Sequence, residues 1–311
     1  MLTAILLLGI KTSTLKNFVR GHPNLLHLSR FILRRHSLRL EQFRSFSDAE
    51  RDIDKWIKTF PMRYDLIIGI PRSGLYFASY IAIKLGLPLS TPDNFLRGET
   101  WFTKAVPMSI KFHNVLLLDD GVARFDGQMF DAFTKIKTAY PDLAITKAAL
   151  YVYPEVAGAV DMFFGFLDSQ KLNHEEWNIM HQKFGVTASD LDGVICHDWE
   201  PARYKSYDNF IENAEPYLIP RFKIDFIITS RPEKYREATL NWLNRNNVCF
   251  GQLLMMENQQ HDITQSIRHK VQHLKKIRPS CYWENNLVEA TEINRLTKIP
   301  VLYTDQMVLI K

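Results

Sequence analysis

The chain has 311 residues, 46% apolar and 23% charged, with a formal charge of +5. These are globular values that exclude a disordered or membrane-spanning body, and the length suits two domains that each bury a core. Three cysteines, Cys196, Cys249 and Cys281, are too few and too scattered for a disulfide framework or a zinc site, which fits a reducing cytoplasm.

The charge is uneven. From Lys11 to Arg44 there are eight Lys or Arg residues and one acid, Glu41, so residues 1–45 read as a basic N-terminal arm. Its apolar start, Met1 to Ile10, is too short to span a bilayer and lacks the basic flank of a signal peptide, so neither export nor a transmembrane helix is expected. Leu25 to Arg35 can lie on an anionic surface, leucines down and arginines at the headgroups, as a peripheral contact with the inner membrane. The alternative is an amphipathic helix packed on the first domain with its arginines solvated. No motif supports nucleic-acid recognition beyond charge.

A first domain is expected over 46–182. Ser47-Asp48-Ala49-Glu50 has a capping-box pattern, and Ile53, Trp56, Ile57 and Phe60 recur at helical spacing up to Pro61. Tyr64 to Ile70 reads as a buried strand, which Pro71-Arg72-Ser73-Gly74 turns into a helix reaching Leu85. Such a loop aims backbone N–H groups and a helix N-terminus at one point, suited to an anion such as pyrophosphate. The next clear strand, Asn114 to Leu118, ends in Asp119-Asp120-Gly121 and a loop through Gly127 into a helix near Met129. Paired acids at the carboxyl end of a parallel strand suit the two hydroxyls of a ribose, with the loop beyond them cupping a phosphate.

These residues resemble a known family. Ile68 to Gly74 looks like the pyrophosphate loop of the type I phosphoribosyltransferases, and Val115 to Gly127 looks like their signature for phosphoribosyl pyrophosphate, in the right order and about fifty residues apart. The resemblance places Arg72, Ser73 and Gly74 at pyrophosphate, Asp119 and Asp120 at the ribose hydroxyls directly or through Mg²⁺, and Ala123 to Met129 around the 5-phosphate. It makes Asn94 to Met108 a hood with Arg97, Trp101 and Lys104 as candidates. The phosphate loop departs from the family's Asp-Thr-Gly-x-Thr pattern, since Ala123-Arg124-Phe125-Asp126-Gly127 is longer and lacks Ser or Thr. Ala123 stands where an acid often assists a nucleobase, Arg124 and Gly127 remain for phosphate, and Asp126 becomes the candidate base toward an acceptor hydroxyl. Ile145–Tyr153 and Val160–Phe166 read as further strands, and His174 to His181 as an amphipathic segment in which Trp177 packs.

A second domain is expected over 183–311. It opens on an apolar approach to Ser189-Asp190-Leu191-Asp192-Gly193-Val194, where two acids two residues apart can point into one site. This pattern suits a Mg²⁺-dependent phosphatase in which Asp190 attacks phosphorus and Asp192 protonates the leaving oxygen and later activates water. The alternative is a strand-to-helix turn with an N-cap Asp. Lys223 to Pro232 is a second strand ending in the hydroxyls of Thr229 and Ser230 and in Arg231, where a hydroxyl can hold phosphate, before a helical run from Glu233 to Asn244. Lys270 lies on a helix leading to Cys281-Tyr282-Trp283, a strand that ends in Glu284.

Four elements in this order resemble the haloacid dehalogenase superfamily of phosphohydrolases. The resemblance makes Asp190 the nucleophile, Asp192 the acid/base, Thr229 and Ser230 phosphate-binding hydroxyls, Lys270 the neutralising cation, and Asp190, Asp192 and Glu284 the Mg²⁺ ligands. Glu284-Asn285 replaces a common pair of acids, with Glu289 as a helper, and about thirty residues between the first two motifs leave room only for a small cap.

The fold expected is α/β throughout, two domains each with a mainly parallel sheet. The two resemblances together imply a bifunctional enzyme that transfers 5-phosphoribosyl from phosphoribosyl pyrophosphate to a glycan hydroxyl with inversion, giving a β-ribofuranoside, and then removes the 5-phosphate. Such pairs serve bacterial capsule and O-antigen synthesis, where the acceptor is compatible with a lipid-linked glycan. The alternatives are a nucleobase phosphoribosyltransferase with a nucleotidase, as in salvage, and a phosphatase regulated by a domain that senses phosphoribosyl pyrophosphate.

Overall fold

A computed structural model describes residues 43–61, 63–102, 111–167, 173–183, 185–257 and 262–311. The basic arm with its expected membrane contact, and Lys104 of the hood, lie outside the described residues. The chain forms two compact units. Among the described residues one runs from Ile53 to Leu167 and the other joins Phe43–Asp52 to Asn173–Lys311. Residues 46–52 and 173–182, read from the sequence as first-domain, therefore belong with the second. β1 (Phe43–Arg44) and α1 (Phe46–Trp56) open the described chain. The reciprocal cap of α1 is made by Ser45 and Asp48, whose amides bond each other's side chains at 3.1 Å, two residues before the expected box.

The first unit holds β2 (Leu66–Gly69), α2 (Ser73–Leu85), β3 (Leu89–Ser90), α3 (Pro92–Leu96), β4 (Asn114–Val122), α4 (Gln128–Ala139), β5 (Ala144–Val152) and β6 (Met162–Phe166). Its five strands lie in the order β3-β2-β4-β5-β6, all parallel. Leu66, Ile67, Ile68 and Val115 to Leu118 are fully buried, because a parallel sheet covered on both faces has no polar side. α2 lies so close on β2 that a Cβ on Gly69 would stand 2.6 Å from that of Ala78. The connections leave β2 for β3 on one side and return to β4 on the other, which makes the β2/β4 boundary the switch point of this sheet. β4 extends beyond the expected Leu118 to Val122, because β5 continues to pair with it up to Val122↔Val152.

In the second unit β7 (His174–Glu175) pairs in parallel with β1, so the amphipathic segment expected from His174 is a bridging strand followed by a short 3-10 turn. Glu176 accepts the Phe46 amide at 2.8 Å, and the Trp177 ring lies 5.6 Å from that of Phe46. The main sheet contains β8 (Thr187–Ser189), β9 (Ile224–Pro232), β10 (Phe250–Met256), β11 (Cys281–Glu284), β12 (Val301–Tyr303) and β13 (Val308–Ile310) in the order β10-β9-β8-β11-β12-β13. Only the edge strand β13 is antiparallel. α5 (Tyr207–Asn213), α6 (Arg236–Arg245), α7 (Ile263–Ile277) and α8 (Leu287–Thr297) complete the unit. The chain runs outward from β8 to β10, then returns to β11 on the other side, so the switch point falls between β8 and β11. Among the described residues no helix is long and apolar enough to cross a membrane.

Candidate functional site

Each unit gathers its motif residues at its own switch point. In the first, β2 leaves the ladder at Gly69↔Leu118, the Ile70 amide donates to the Leu118 carbonyl at 2.8 Å, and the chain turns through Pro71 and Arg72, joined by a cis peptide, into α2. β4 continues beside β5 alone. Asp119 and Asp120 therefore stand where β4 has lost its β2 neighbour, in the crevice where open α/β sheets bind ligands. A Cβ on Gly74 would lie 2.8 Å from both Asp119 Cα and Asp119 Oδ1, so glycine is what lets the first turn of α2 come this close to the acidic pair. Ser73 is buried at the start of the helix and Arg72 is exposed before it.

Asp119 Oδ1 accepts the Asp120 amide at 2.9 Å. Burial first, and then the charge of Asp120, push the Asp119 carboxyl well above the usual carboxylate range. A cation or paired hydroxyl donors would relieve that charge. The loop beyond is open: the side chains of Arg124 and Asp126 are 77% and 80% exposed and pair with each other at 3.6 Å. Asp126, expected as a base, thus stands in solvent beside Arg124. Gly127 caps α4 in extended conformation, its carbonyl accepting the Phe130 amide at 3.0 Å. In the hood, Leu89 and Trp101 exchange backbone hydrogen bonds at 2.7 and 2.9 Å, and Arg97 is exposed.

In the second unit Asp190 follows β8 directly, its amide donating to the Trp283 carbonyl of β11 at 2.9 Å. Lys270 of α7, buried to 2%, donates to Asp190 Oδ2, to Glu284 Oε2 at 2.7 Å and to Glu289 Oε2 at 2.7 Å. Ser266, one turn before Lys270, donates to Glu289 Oε2 at 2.8 Å and shares a 2.5 Å hydrogen bond with Ser230. Thr229 Oγ1 accepts the Arg231 amide at 3.2 Å. Three carboxylates thus surround one ammonium, and the pocket lacks positive charge. Burial, with Glu284 and Glu289 nearby, pushes Asp190 well above the usual range against the pull of Lys270. Burial opposes the Lys270 charge, yet Asp190 and the two glutamates hold its pKa above the ordinary value.

Asp192 is placed differently from its neighbour. Arg231, fully buried, takes both its oxygens: Nε lies 3.0 Å from each and a terminal nitrogen 2.6 Å from Oδ1. The Arg231 guanidinium also lies 5.2 Å from the Phe210 ring centre. The Asp192 side chain, expected among the metal ligands, is therefore committed to Arg231, which leaves its main-chain carbonyl facing Asn285. With its amide nitrogen inward, Asn285 donates to that carbonyl at 3.1 Å and to Glu284 Oε1 at 3.2 Å. Gly193, at φ +75°, keeps the turn open for Asn285, since a Cβ there would fall 2.0 Å from the carboxamide nitrogen.

Among the described residues no group of three or more His, Cys, Asp or Glu side chains is preformed as a metal site. The oxygens of Asp190, Glu284 and the Asp192 carbonyl, together with the missing positive charge, fit a hard cation such as Mg²⁺.

A cleft of about 610 Å³ opens over Asp190, Thr229 and Lys270. Its walls include Trp199, Tyr207 and Tyr235, whose rings stack edge-on at 5.7 and 5.5 Å. Sequence reasoning missed this wall, the Arg231–Asp192 pairing and Ser266. Only Ser266 left a signal, its one-turn spacing from Lys270.

No protein-family model and no curated protein sequence matches the chain. Solved structures similar to part of it are phosphoribosyltransferases and a related synthase. UMP synthase of Leishmania donovani is 21% identical over 38% of this chain, with a TM-score of 0.31, and the chain spans about a quarter of its length, 26%. The purine phosphoribosyltransferase of Pyrococcus horikoshii is 17% identical over 47% of this chain and 98% of its own, TM-score 0.31. The xanthine-guanine-hypoxanthine phosphoribosyltransferase of Helicobacter pylori is 13% identical over 44% and 93%, TM-score 0.32.

Proposed function

We propose that the chain is a bifunctional ribofuranosyltransferase: the first unit transfers 5-phosphoribosyl from phosphoribosyl pyrophosphate to a glycan hydroxyl, and the second hydrolyses the 5-phosphate of the product. What carries this function is that both units, each by itself, gather their motif residues at the switch point of their own sheet. In the first step the C1–O bond to pyrophosphate breaks, the C1–O bond to the acceptor forms, and the acceptor hydroxyl gives up its proton. Gly74 and Ser73 lie against pyrophosphate, Asp119 and Asp120 against the ribose hydroxyls, and α4 presents its N-terminus to the 5-phosphate. Ala123, where an acid would assist a nucleobase, favours a hydroxyl acceptor.

In the second step Asp190 attacks phosphorus, the ester P–O bond breaks, and Asp192, parted from Arg231 and protonated from solvent, gives that proton to the leaving sugar oxygen. Water, losing a proton to Asp192, then releases phosphate from Asp190. Lys270, Thr229 and Ser230 hold the phosphate oxygens. Mg²⁺, when bound by Asp190, Glu284 and the Asp192 carbonyl, supplies the positive charge that the pocket lacks. The aromatic wall of Trp199, Tyr207 and Tyr235 suits the apolar face of a sugar ring.

The test is mass spectrometry of Asp190→Asn protein incubated with Mg²⁺, phosphoribosyl pyrophosphate and either synthetic glycans or nucleobases. A glycan that gains ribosyl phosphate, and loses only phosphate when wild type is added, is the expected result. Nucleotide formation would move the chain to salvage, and no transfer to any acceptor would favour a sensing role for the first unit.

A further inference from the structure

We propose that His269 and His273 form a transition-metal site on α7, taking Cu²⁺ ahead of Ni²⁺ and Zn²⁺ and distinct from the oxygen-lined pocket at Asp190. The two residues are four apart on one helix, which places both imidazoles on one face, roughly 60° round the helix from the face of Ser266 and Lys270. Their ring centres lie 4.8 Å apart at 71°. Both line a second cleft, of about 510 Å³, together with Met255, Met256, Glu233 and Arg236.

An orphaned atom points to the ligand. The His269 ring hydrogen-bonds to the Leu254 main chain, while its Nε2 is buried with no protein partner. A metal-bound imidazole characteristically has this arrangement: one ring nitrogen fixed by a backbone carbonyl, the other aimed at the ion. Burial first, and then the neighbouring His273, lower the His269 pKa to about 4, so at neutral pH the ring is neutral and carries its lone pair. Burial also lowers the pKa of His273.

Glu233 does not supply a third ligand, because Arg236 holds both its oxygens, at 2.6 and 2.5 Å. Glu257, on the wall of the same cleft, and solvent are left to complete the coordination. Two imidazoles with open positions suit Cu²⁺, Ni²⁺ and Zn²⁺ in the usual affinity order and reject Mg²⁺, which prefers oxygen. Because the donors are nitrogen, the site stands or falls independently of the proposed phosphatase.

The experiment titrates Cu²⁺ into the full chain by calorimetry in excess Mg²⁺, which occupies oxygen sites, and records the electron paramagnetic resonance of the loaded protein. The expected result is a Cu²⁺ signal split by two imidazole nitrogens, with affinity falling at least about tenfold in both His269→Gln and His273→Gln. His273 is half-exposed, so its variant keeps the fold and the test remains sound if His269→Gln does not. Absence of the two-nitrogen signal in wild type, or its survival unchanged in His273→Gln, overturns the proposal.

Discussion

Replacing Lys270 by Met removes the one cation that, among the described residues, pairs with Asp190, Glu284 and Glu289, while keeping most of the buried volume. The Lys270 side chain is 2% exposed, and those of the three acids are 9%, 1% and 11% exposed, so water cannot readily take its place. Breaking a buried pair by removing one partner costs about 3–5 kcal/mol. With a urea dependence of about 2 kcal/mol per molar, the midpoint of the second unit should fall by about 2 M, while the first unit's transition stays put as an internal control. The loss has a pH signature. Burial and the glutamates already hold Asp190 above the usual range in the wild type, burial does the same for Glu284, and without the pull of Lys270 both gain further proton affinity in the folded state alone. The folded variant then binds more protons than the unfolded chain, so stability rises as pH falls toward about 4 and drops as pH rises through the shifted range. Urea melts at pH 5 and pH 8, with and without Mg²⁺, check this. The variant should be more stable at pH 5, and Mg²⁺ should recover part of the loss at pH 8. A midpoint unmoved by the substitution, or a loss equal at both pH values, would refute the buried three-acid arrangement.

Asp190→Asn should lower release of phosphate from p-nitrophenyl phosphate by roughly 10³-fold or more, and activity within tenfold of wild type would remove Asp190 as nucleophile. Gly74→Ala drives a methyl against Asp119 at 2.8 Å, and calorimetry should show phosphoribosyl pyrophosphate binding weakened at least about tenfold with the far-ultraviolet spectrum unchanged. Because burial and Asp120 raise the Asp119 pKa, occupation of that site by Mg²⁺ must expel a proton; Mg²⁺ affinity of the first unit should therefore rise with pH, and a flat profile from pH 5 to 8 would contradict it. Arg231→Met should lower the rate of phosphate release at least about tenfold, since Asp192 loses the guanidinium that fixes its carboxylate, and a rate within twofold of wild type would remove Arg231 as its positioning residue.

The strands that carry chemistry were legible because parallel strands, buried on both faces, are written as unbroken apolar runs. Leu66 to Gly69, Phe226 to Ile228 within β9 and Cys281 to Trp283 are of this kind, the last two running directly into Thr229 and Glu284. What the sequence could not specify was decided by neighbours. β4 runs past Asp119 because β5 is long enough to pair with it, and no residue within Asn114–Val122 encodes the length of its partner. The α1 cap sits at Ser45 because the helix begins at Phe46, and two overlapping Ser-x-x-acid patterns are indistinguishable without that start. The short strand at His174 exists only because β1, over a hundred residues earlier, pairs with it.

The same division separates the two aspartates of the second unit. Two residues apart in a tight turn, they share an origin in the sequence, yet Asp190 is directed to Lys270 from α7 and Asp192 to Arg231 from β9. The ammonium, shared with two glutamates, leaves its pocket acidic and open to a divalent ion, while the guanidinium matches one carboxylate with one cation and satisfies both oxygens. Identical side chains thereby acquire different surroundings, one set among acids around a shared ammonium, the other matched oxygen for nitrogen by Arg231; on the proposed function these become the nucleophile and the proton carrier. The turn supplies the pair, but the two strands and the helix that converge on it determine which acid does which.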